Sequence, residues 1–575
     1  MKSNPSGLVE QPALQRTLSN RHIQLMAMGG AIGTGLFMGS GKIIALSGTS
    51  IIFIYMIIGL FVFFVMRAMG EMLLSNLNFK TFADFAGAYL GPRAAFFLGW
   101  SYWLSWSVAV IGDAVVVGGF FQYWFPGVPA WIPAVGMLAT LFALNVLTVR
   151  LFGEVEFWFA IIKIIAVVTL IGVSVVLIAT SFVSPSGVTA SLSHLVDKQA
   201  AFPNGLFGFF AGFQMAIFSF AGTELIGTAA AETRAPQKTL PKAINSIPLR
   251  IILFYVLALT CIIAVTSWHQ VSPVKSPFVE LFLVAGFPAA AGVVNFVVLT
   301  SAASSANSGV FSSSRMWFGL ANQGNAPRLF QRLSANSVPL SSLAFTTLLM
   351  LIGVLVLFIV PEVMTAFTIV STVSAILVIF TWSTILVSYI AYRKKRPELH
   401  AKSAYKMPGG VPMAWLSLAF LGFVLCLLAL RPDTRIALMV MPSWFVWLGI
   451  AYPLTRLKKP SRDCIGKSIR LTESRQSFSR SDGTAPPAWR QLNSGGSLHR
   501  HGPRMTDSSA LALGSDARPV CSLLAVAAHT LVIRLGTSGI AEAQPHLAVG
   551  VVQVIPGRQG NRNADAAREL FFLQR

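Results

Sequence analysis

Long apolar runs recur along residues 23–455 of this 575-residue chain, and they constrain its fold more than any other feature. A helix of about 18 or more apolar residues crosses roughly 30 Å of hydrocarbon. Only 11% of the residues are charged, against about a quarter in soluble domains. We therefore predict an all-α polytopic membrane protein. Its twelve spans are expected at 23–47, 50–74, 95–121, 129–148, 157–180, 206–230, 247–267, 281–305, 341–360, 363–390, 412–430 and 437–455.

The net charge of +22 is distributed unevenly along the chain. Within residues 1–459, 22 Lys and Arg residues precede span 1, follow an even-numbered span or, in the case of Arg250, lie at the start of span 7, and four lie in the alternate loops. This asymmetry is the positive-inside pattern of membrane proteins. It predicts a multi-pass protein with both termini in the cytoplasm. The charge is thereby explained by topology, and we expect no nucleic-acid partner.

Composition divides the chain into three segments. Residues 1–22 are polar and are expected to form a cytoplasmic tail, and residues 23–458 contain the twelve predicted spans. Residues 459–575 are rich in Arg, Ser, Gly and Pro, and their longest apolar stretch is interrupted by His529 and Arg534. Such a composition is typical of disorder. We predict a disordered cytoplasmic tail, and a frameshift or gene-fusion product is the alternative interpretation.

The first span contains the stretch "MAMGGAIGTGLF" at 26–37, with four glycines within seven residues. Each glycine in a helix interior costs about 1 kcal/mol relative to alanine. An unwound membrane helix exposes N–H groups that attract a carboxylate and C=O groups that attract a cation. An α-amino acid carries both charges. The alternative is helix packing, because Gly29/Gly33 and Gly35/Gly39 are pairs of small residues four apart.

A second interruption is predicted in span 6, where "FSFAGTELIG" at 218–227 contains Ala221-Gly222-Thr223 followed by Glu224. Spans 1 and 6 correspond if spans 1–5 and 6–10 are two halves. Paired glycine-interrupted segments in corresponding positions indicate a transporter binding site. This second stretch favours binding over packing. We see no motif of a nucleophile–base pair or metal set, and therefore expect no enzyme, metal or cofactor.

Three ionisable residues lie well inside predicted spans: Asp113, Lys163 and Glu224. Intramembrane ionisable groups are costly and commonly functional. We predict a role in proton coupling or gating for each, and a structural ion pair or a snorkelling side chain is the alternative.

Two further groups of residues have local explanations. Arg67 and Glu71 are four apart in span 2, so they are positioned to pair on one helix face, with a stabilising or an inner-gating role. Trp100, Trp103 and Trp106 share one face of span 3. We interpret these tryptophans as an interfacial aromatic belt, and an aromatic stack for the substrate is the alternative.

Several stretches resemble bacterial amino acid permeases of the amino acid–polyamine–organocation superfamily. They are "NRHIQLMAMGGAIGTGLFMGSGKIIALSG" (20–48), "FGEVEFWFAIIKI" (152–164), "FSFAGTELIGTAAAET" (218–233) and "TSAASSANSGVFSSSRM" (300–316). The resemblance covers about residues 12–458. It implies twelve helices, with two inverted five-helix repeats, discontinuous helices 1 and 6, and two extra helices.

The resemblance also implies roles for particular residues. The substrate carboxylate is expected at Gly33, Thr34 and Gly35, with Ile32 at the break. The substrate ammonium is expected near the carbonyls of span 6, and the residues concerned are Phe218, Ser219, Ala221 and Gly222, with Phe218 as an aromatic lid. Lys163 is expected to bond the span 1 backbone in place of a sodium ion. Ser304 and Ser305 of span 8 are expected to support that contact, and ordinary hydroxyl bonding within the helix is the alternative.

The function implied is proton-coupled import of small neutral amino acids (D-serine, D-alanine and glycine) across the bacterial inner membrane by alternating access. The expected partners are the amino acid, protons as the coupling ion, and the lipid bilayer. The alternatives are an amino acid exchanger or a symporter for another amino acid class. The sequence indicates no oligomeric state.

Overall fold

A computed structural model describes residues 32–456, except positions 78, 80, 148, 198, 230–234, 335 and 361. The predicted tails at 1–22 and 459–575, and the first part of span 1, lie outside these residues. Nine helices in the described part are long and apolar enough to cross a membrane, and Trp131–Leu147 and Gly205–Phe218 are shorter apolar helices. The chain is therefore a helical, multi-pass membrane protein, as its apolar runs predict.

The helices are numbered here in chain order. They are α1 (Thr34–Phe37), α2 (Gly39–Ser47), α3 (Ile51–Ser75), α4 (Phe82–Leu90), α5 (Pro92–Phe121), α6 (Trp131–Leu147), α7 (Val149–Ala179), α8 (Gly205–Phe218), α9 (Leu225–Ala229), α10 (Pro236–Asn245), α11 (Ile247–Arg250), α12 (Ala258–Thr266), α13 (Pro277–Val284), α14 (Pro288–Asn322), α15 (Leu340–Val354), α16 (Val356–Ile359), α17 (Val363–Lys395), α18 (Pro397–Lys402), α19 (Gly410–Leu428) and α20 (Pro432–Arg456). A π-helical segment, Ile251–Leu257, joins α11 to α12.

Predicted spans 5 and 8 differ from the helices found. Span 5 was expected at 157–180, but α7 begins eight residues earlier, at Val149. Span 8 was expected at 281–305, but that range covers parts of two helices, α13 and α14. Gly286 adopts a positive φ of 81° and Pro288 opens α14, so the chain turns between them. α14 then continues to Asn322, because its polar side chains are buried against other helices.

Helix α5 is central to the bundle and packs along α14 and α17. Its three tryptophans, Trp100, Trp103 and Trp106, are at most 5% exposed. The Trp103 indole N–H donates to Thr346 Oγ1 at 3.2 Å. The interpretation of these residues as an interfacial belt is therefore wrong. Their spacing on one face is the same for lipid contact and for packing between helices, so it does not distinguish the two.

Helix α7 buries one narrow stripe and exposes apolar side chains elsewhere. The buried positions follow a spacing of three and four residues: Glu156, Ala160, Lys163, Val167, Leu170, Ser174 and Leu177. Exposed positions include Trp158, Ile165, Val168, Val175 and Val176. A helix with its polar residues inward and apolar residues outward suits lipid on the outer side. This arrangement directs Glu156 and Lys163 into the protein interior.

Arg67 and Glu71 near the end of α3 do not pair with each other. Arg67 Nη1 donates to Asn245 Oδ1 at 2.7 Å. Glu71 is fully buried, accepts the Met407 backbone N–H at 2.8 Å, and contacts His400 Nδ1. The expected i,i+4 pair is thus replaced by links from α3 to α10 and to the segment that precedes α19. These links attach the end of α3 to parts of the chain that are distant in sequence.

Candidate functional site

The helix is interrupted within predicted span 6. Helix α8 ends at Phe218, turns occupy 219–224, and α9 begins at Leu225. Gly222 has φ of 102°, a conformation that favours glycine over residues with a Cβ. The Glu224 carboxylate accepts the Gly222 backbone N–H, at 3.2 and 3.1 Å to its two oxygens. Glycine permits the turn, and the glutamate satisfies a backbone donor that the turn leaves without a helical partner.

The described part of span 1 begins with non-helical residues. Ile32 and Gly33 precede α1, and Gly33 O accepts the N–H groups of Leu36 and Phe37 at 3.1 and 3.2 Å. Thr34 and Gly35 therefore occupy the first turn, where backbone N–H groups have no acceptor within the helix. Ser301 Oγ of α14 donates to Ile32 O at 3.1 Å. Whether a helix precedes Ile32 lies outside the described residues.

The start of α1 and the interruption after α8 touch each other. A Cβ built on Gly35 would lie 2.6 Å from Ser219 Cα and 2.9 Å from Ser219 N, so the backbones meet directly. Tyr55 of α3 hydrogen-bonds Ser219 Oγ at 3.1 Å, and the Tyr255 hydroxyl donates to Ser219 O at 2.9 Å. The fold thus brings Gly33–Gly35 beside Ser219–Gly222. Phe218, at the end of α8, is buried and packs edge-on against Phe367 with 5.7 Å between ring centroids.

The predicted ionisable residue Asp113 lies beside this contact. Asp113 is 1% exposed, and its Oδ1 accepts the Thr34 hydroxyl at 2.6 Å. Ser305 also neighbours the site, because its Oγ lies 3.6 Å from a Cβ built on Gly33. Asp113, Thr34, Gly33 and Ser305 are therefore neighbours, although α1, α5 and α14 are far apart in sequence.

Lys163 and Ser304 meet at a carboxylate that the sequence analysis overlooked. Glu156 is fully buried, and its Oε1 accepts the Ser304 hydroxyl at 2.7 Å. The Lys163 ammonium, 1% exposed, interacts electrostatically with Glu156 and Asp113. A signal was available, since Glu156 precedes Lys163 by seven residues and seven residues place both on one helix face. The residue was missed because the predicted span began at 157.

Glu224 is separate from that cluster. It is 1% exposed, and the indoles of Trp106 and Trp382 face its carboxylate. Within the part of the chain that the structure describes, no three His, Cys, Asp or Glu side chains are placed to hold a metal ion. The site is thus a contact between the start of α1 and the interruption after α8, with backbone donors, hydroxyls and buried carboxylates around it.

Glu224→Gln is expected to lower uptake about tenfold or more at normal membrane expression. The amide keeps one acceptor oxygen and places an NH₂ group where the second oxygen faced the Gly222 N–H, so a donor meets a donor in a buried place, at a cost of about 1–3 kcal/mol. Radiolabelled uptake, normalised to the amount of protein in the membrane, measures the effect. Glu398→Gln is the matched control, because Glu398 lies at the surface with its side chain 53% exposed. Normal uptake kinetics in Glu224→Gln would contradict a role for this carboxylate.

A bundle of long apolar helices with an interrupted segment and buried charged groups has the organisation of a membrane transporter. The chain belongs to the amino acid permease family, whose profile matches residues 22–463. It is 58% identical over 442 residues to the D-serine/D-alanine/glycine transporter of Escherichia coli (strain K12), covering 77% of this chain and 94% of that protein.

Two other relatives come from Bacillus subtilis and Lactococcus lactis. Amino-acid permease AapA of Bacillus subtilis (strain 168) is 49% identical over 450 residues, covering 78% of this chain and 97% of that protein. Serine permease SerP1 of Lactococcus lactis is 45% identical over 358 residues, covering 61% of this chain and 78% of that protein. The names of these three relatives all describe amino acid transporters or permeases. The resemblance found in the sequence is thus confirmed.

Proposed function

We propose that this protein imports small neutral amino acids, namely D-serine, D-alanine and glycine, together with protons by alternating access. The observation that carries the proposal is the direct contact of Gly35 with Ser219, which joins the start of α1 to the interruption after α8. The name of the Escherichia coli relative supports the substrate class. The positive-inside pattern supports a location in the bacterial inner membrane with both termini in the cytoplasm.

In this proposal the substrate binds between the two interruptions. Its carboxylate accepts hydrogen bonds from the backbone N–H groups of Gly33–Gly35 and from the Thr34 hydroxyl, next to Ile32. Its ammonium donates hydrogen bonds to carbonyl groups around Ser219 and Ala221, near Gly222. A zwitterion suits such a place, because a helix start attracts an anion and a helix end attracts a cation. Phe218 is proposed to cover the bound substrate.

The proposed architecture has twelve spans, with spans 1–5 and 6–10 as inverted repeats. Alternating access then consists of one repeat moving against the other around a fixed site near the membrane midplane. Lys163, Asp113 and Glu224 are proposed to couple proton movement to this motion, supported by Ser304 and Ser305. The buried position of these charges favours a functional role, since burying ionisable groups in a membrane is costly.

The decisive experiment is glycine uptake into proteoliposomes with and without an inwardly directed proton gradient. We expect the gradient to drive accumulation, an uncoupler to abolish it, and D-serine and D-alanine to compete more strongly than phenylalanine. L-Alanine is included as a competitor to measure stereoselectivity. Uptake that requires amino acid inside the vesicles and ignores the uncoupler would indicate an exchanger. Strong competition by phenylalanine alone would indicate another substrate class.

A further inference from the structure

The Thr34 hydroxyl connects the proposed substrate site to a buried carboxylate. Its proton is donated to Asp113 Oδ1 at 2.6 Å, and both residues are at most 2% exposed. The second oxygen of Asp113, Oδ2, has no hydrogen-bond partner among the described residues. A hydroxyl has one proton to donate and two lone pairs that accept. Thr34 therefore cannot donate to Asp113 and to a bound substrate at the same time.

Among the described residues, Asp113 faces one charged group and several uncharged ones. The charged group that faces it is Lys163 of α7, and Lys163 also interacts with Glu156. The neighbours contributed by α14 and α17 are uncharged: Ser305 lies beside Asp113, and Phe367 and Val370 lie beside the adjoining Gly112.

Glu156, like Asp113, has a hydrogen-bond partner for one of its two carboxylate oxygens. One oxygen, Oε1, accepts the Ser304 hydroxyl, and Oε2 has no hydrogen-bond partner in the described part of the chain. Two carboxylates and one ammonium carry a net charge of minus one when all are ionised. An uncompensated buried charge is costly, so uptake of one proton neutralises the cluster.

We propose that Thr34 is the coupling switch: its hydroxyl donates either to the Asp113 carboxylate or to the carboxylate of a bound amino acid. When substrate binds, the hydroxyl proton turns to the substrate, and Asp113 takes a proton from hydronium in the water on the open side. One O–H bond of the hydronium breaks as the O–H bond of Asp113 forms. Protonated Asp113 then donates to Thr34 Oγ1, which completes a chain from Asp113 through Thr34 to the substrate. No other covalent bond forms or breaks. Release of that proton on the other side returns the Thr34 hydroxyl to Asp113 and weakens substrate binding.

This inference rests on the proposed function, because it takes Thr34 as a substrate-binding residue and protons as the coupling ion. It adds a specific rule: substrate binding and proton binding at Asp113 strengthen each other. Reciprocal coupling of this kind is a thermodynamic necessity once one group serves both ligands. Because the rule depends on one hydroxyl, a variant that removes this hydroxyl and a variant that keeps it are expected to differ in proton uptake.

The test measures glycine affinity against pH and proton uptake on glycine binding, with purified full-length protein in detergent and a pH indicator in weak buffer. In the wild type we expect glycine binding to take up protons, and affinity to fall by at most about tenfold per pH unit as pH rises, the limit for one linked proton. Asp113→Asn retains a side chain that donates to Thr34. It is expected to bind glycine with no pH dependence and no proton uptake.

The Thr34 variants test the switch itself. Thr34→Val removes the hydroxyl, so glycine affinity is expected to fall and the proton uptake per bound glycine to be lost. Thr34→Ser keeps the hydroxyl and is expected to keep both. Thr381→Val is the matched control, because buried Thr381 donates within its own helix, to Leu377 O at 2.9 Å. It is expected to behave as the wild type.

The outcomes separate the switch from the proposed function. If wild-type glycine accumulation follows the proton gradient, yet Asp113→Asn keeps its pH dependence or Thr34→Val keeps full proton uptake per bound glycine, the switch is wrong and proton-coupled import stands. If the wild type shows neither gradient-driven accumulation nor proton uptake, both are wrong. Should Asp113→Asn fail to fold, the comparison of Thr34→Val with Thr34→Ser decides.

Discussion

Lys163→Met is expected to abolish gradient-driven accumulation of amino acid, while some binding of substrate survives. The ammonium of Lys163 balances Glu156 and Asp113 within the bundle. Methionine retains most of the volume of lysine but leaves two buried carboxylates without a counter-charge. Removing one partner of a buried ion pair costs about 3–5 kcal/mol, so the amount of folded protein is expected to fall as well.

A double variant separates lost stability from lost coupling. Glu156→Gln in the Lys163→Met background removes one uncompensated charge, and we expect it to restore expression and thermal stability. Accumulation should remain absent, because Lys163 is proposed to act in coupling. Uptake into proteoliposomes with and without a proton gradient, normalised to folded protein, gives the measurement. Full gradient-driven accumulation by the single variant would show that Lys163 is only structural.

Gly35→Val is expected to reduce transport severely because of a backbone contact. Its Cβ would lie 2.6 Å from Ser219 Cα, and backbone atoms cannot rotate away as a side chain can. The start of α1 and the interruption after α8 must then separate. Overpacking of this kind costs about 1–3 kcal/mol, which corresponds to roughly a 5- to 150-fold change in an equilibrium. We expect the uptake rate to decrease by a factor within that range.

Gly172→Val provides the control for this substitution. Gly172 lies in α7, and a Cβ built there meets no atom within 4 Å among the described residues. Both variants place a β-branched residue in a helix, so they share the loss of glycine and differ in the contact. Near-normal transport by Gly35→Val, at wild-type membrane levels, would mean that the close approach of the two segments is not required.

The helical class and the approximate position of most helices could be predicted because length and hydropathy are local properties. Span 10, expected at 363–390, corresponds to α17 at Val363–Lys395. The failures occur where polar residues are buried between helices. α14 runs through the polar residues 304–309 without ending, and α7 begins before Glu156. An apolarity rule treats every such residue as the edge of the membrane, whereas a bundle gives it polar partners.

The sequence by itself determined that this chain is a multi-pass helical protein of the amino acid permease family, with a glycine-permitted turn near Gly222. Only the tertiary structure decided which side chains share a site. Thr34 and Asp113 are 79 residues apart, and Glu156 and Ser304 are 148 apart. Hydrophobic periodicity reports which face of a helix is buried. It carries no information about which distant helix covers that face, and partners such as Glu156 and Ser304 are identified only when the helices pack.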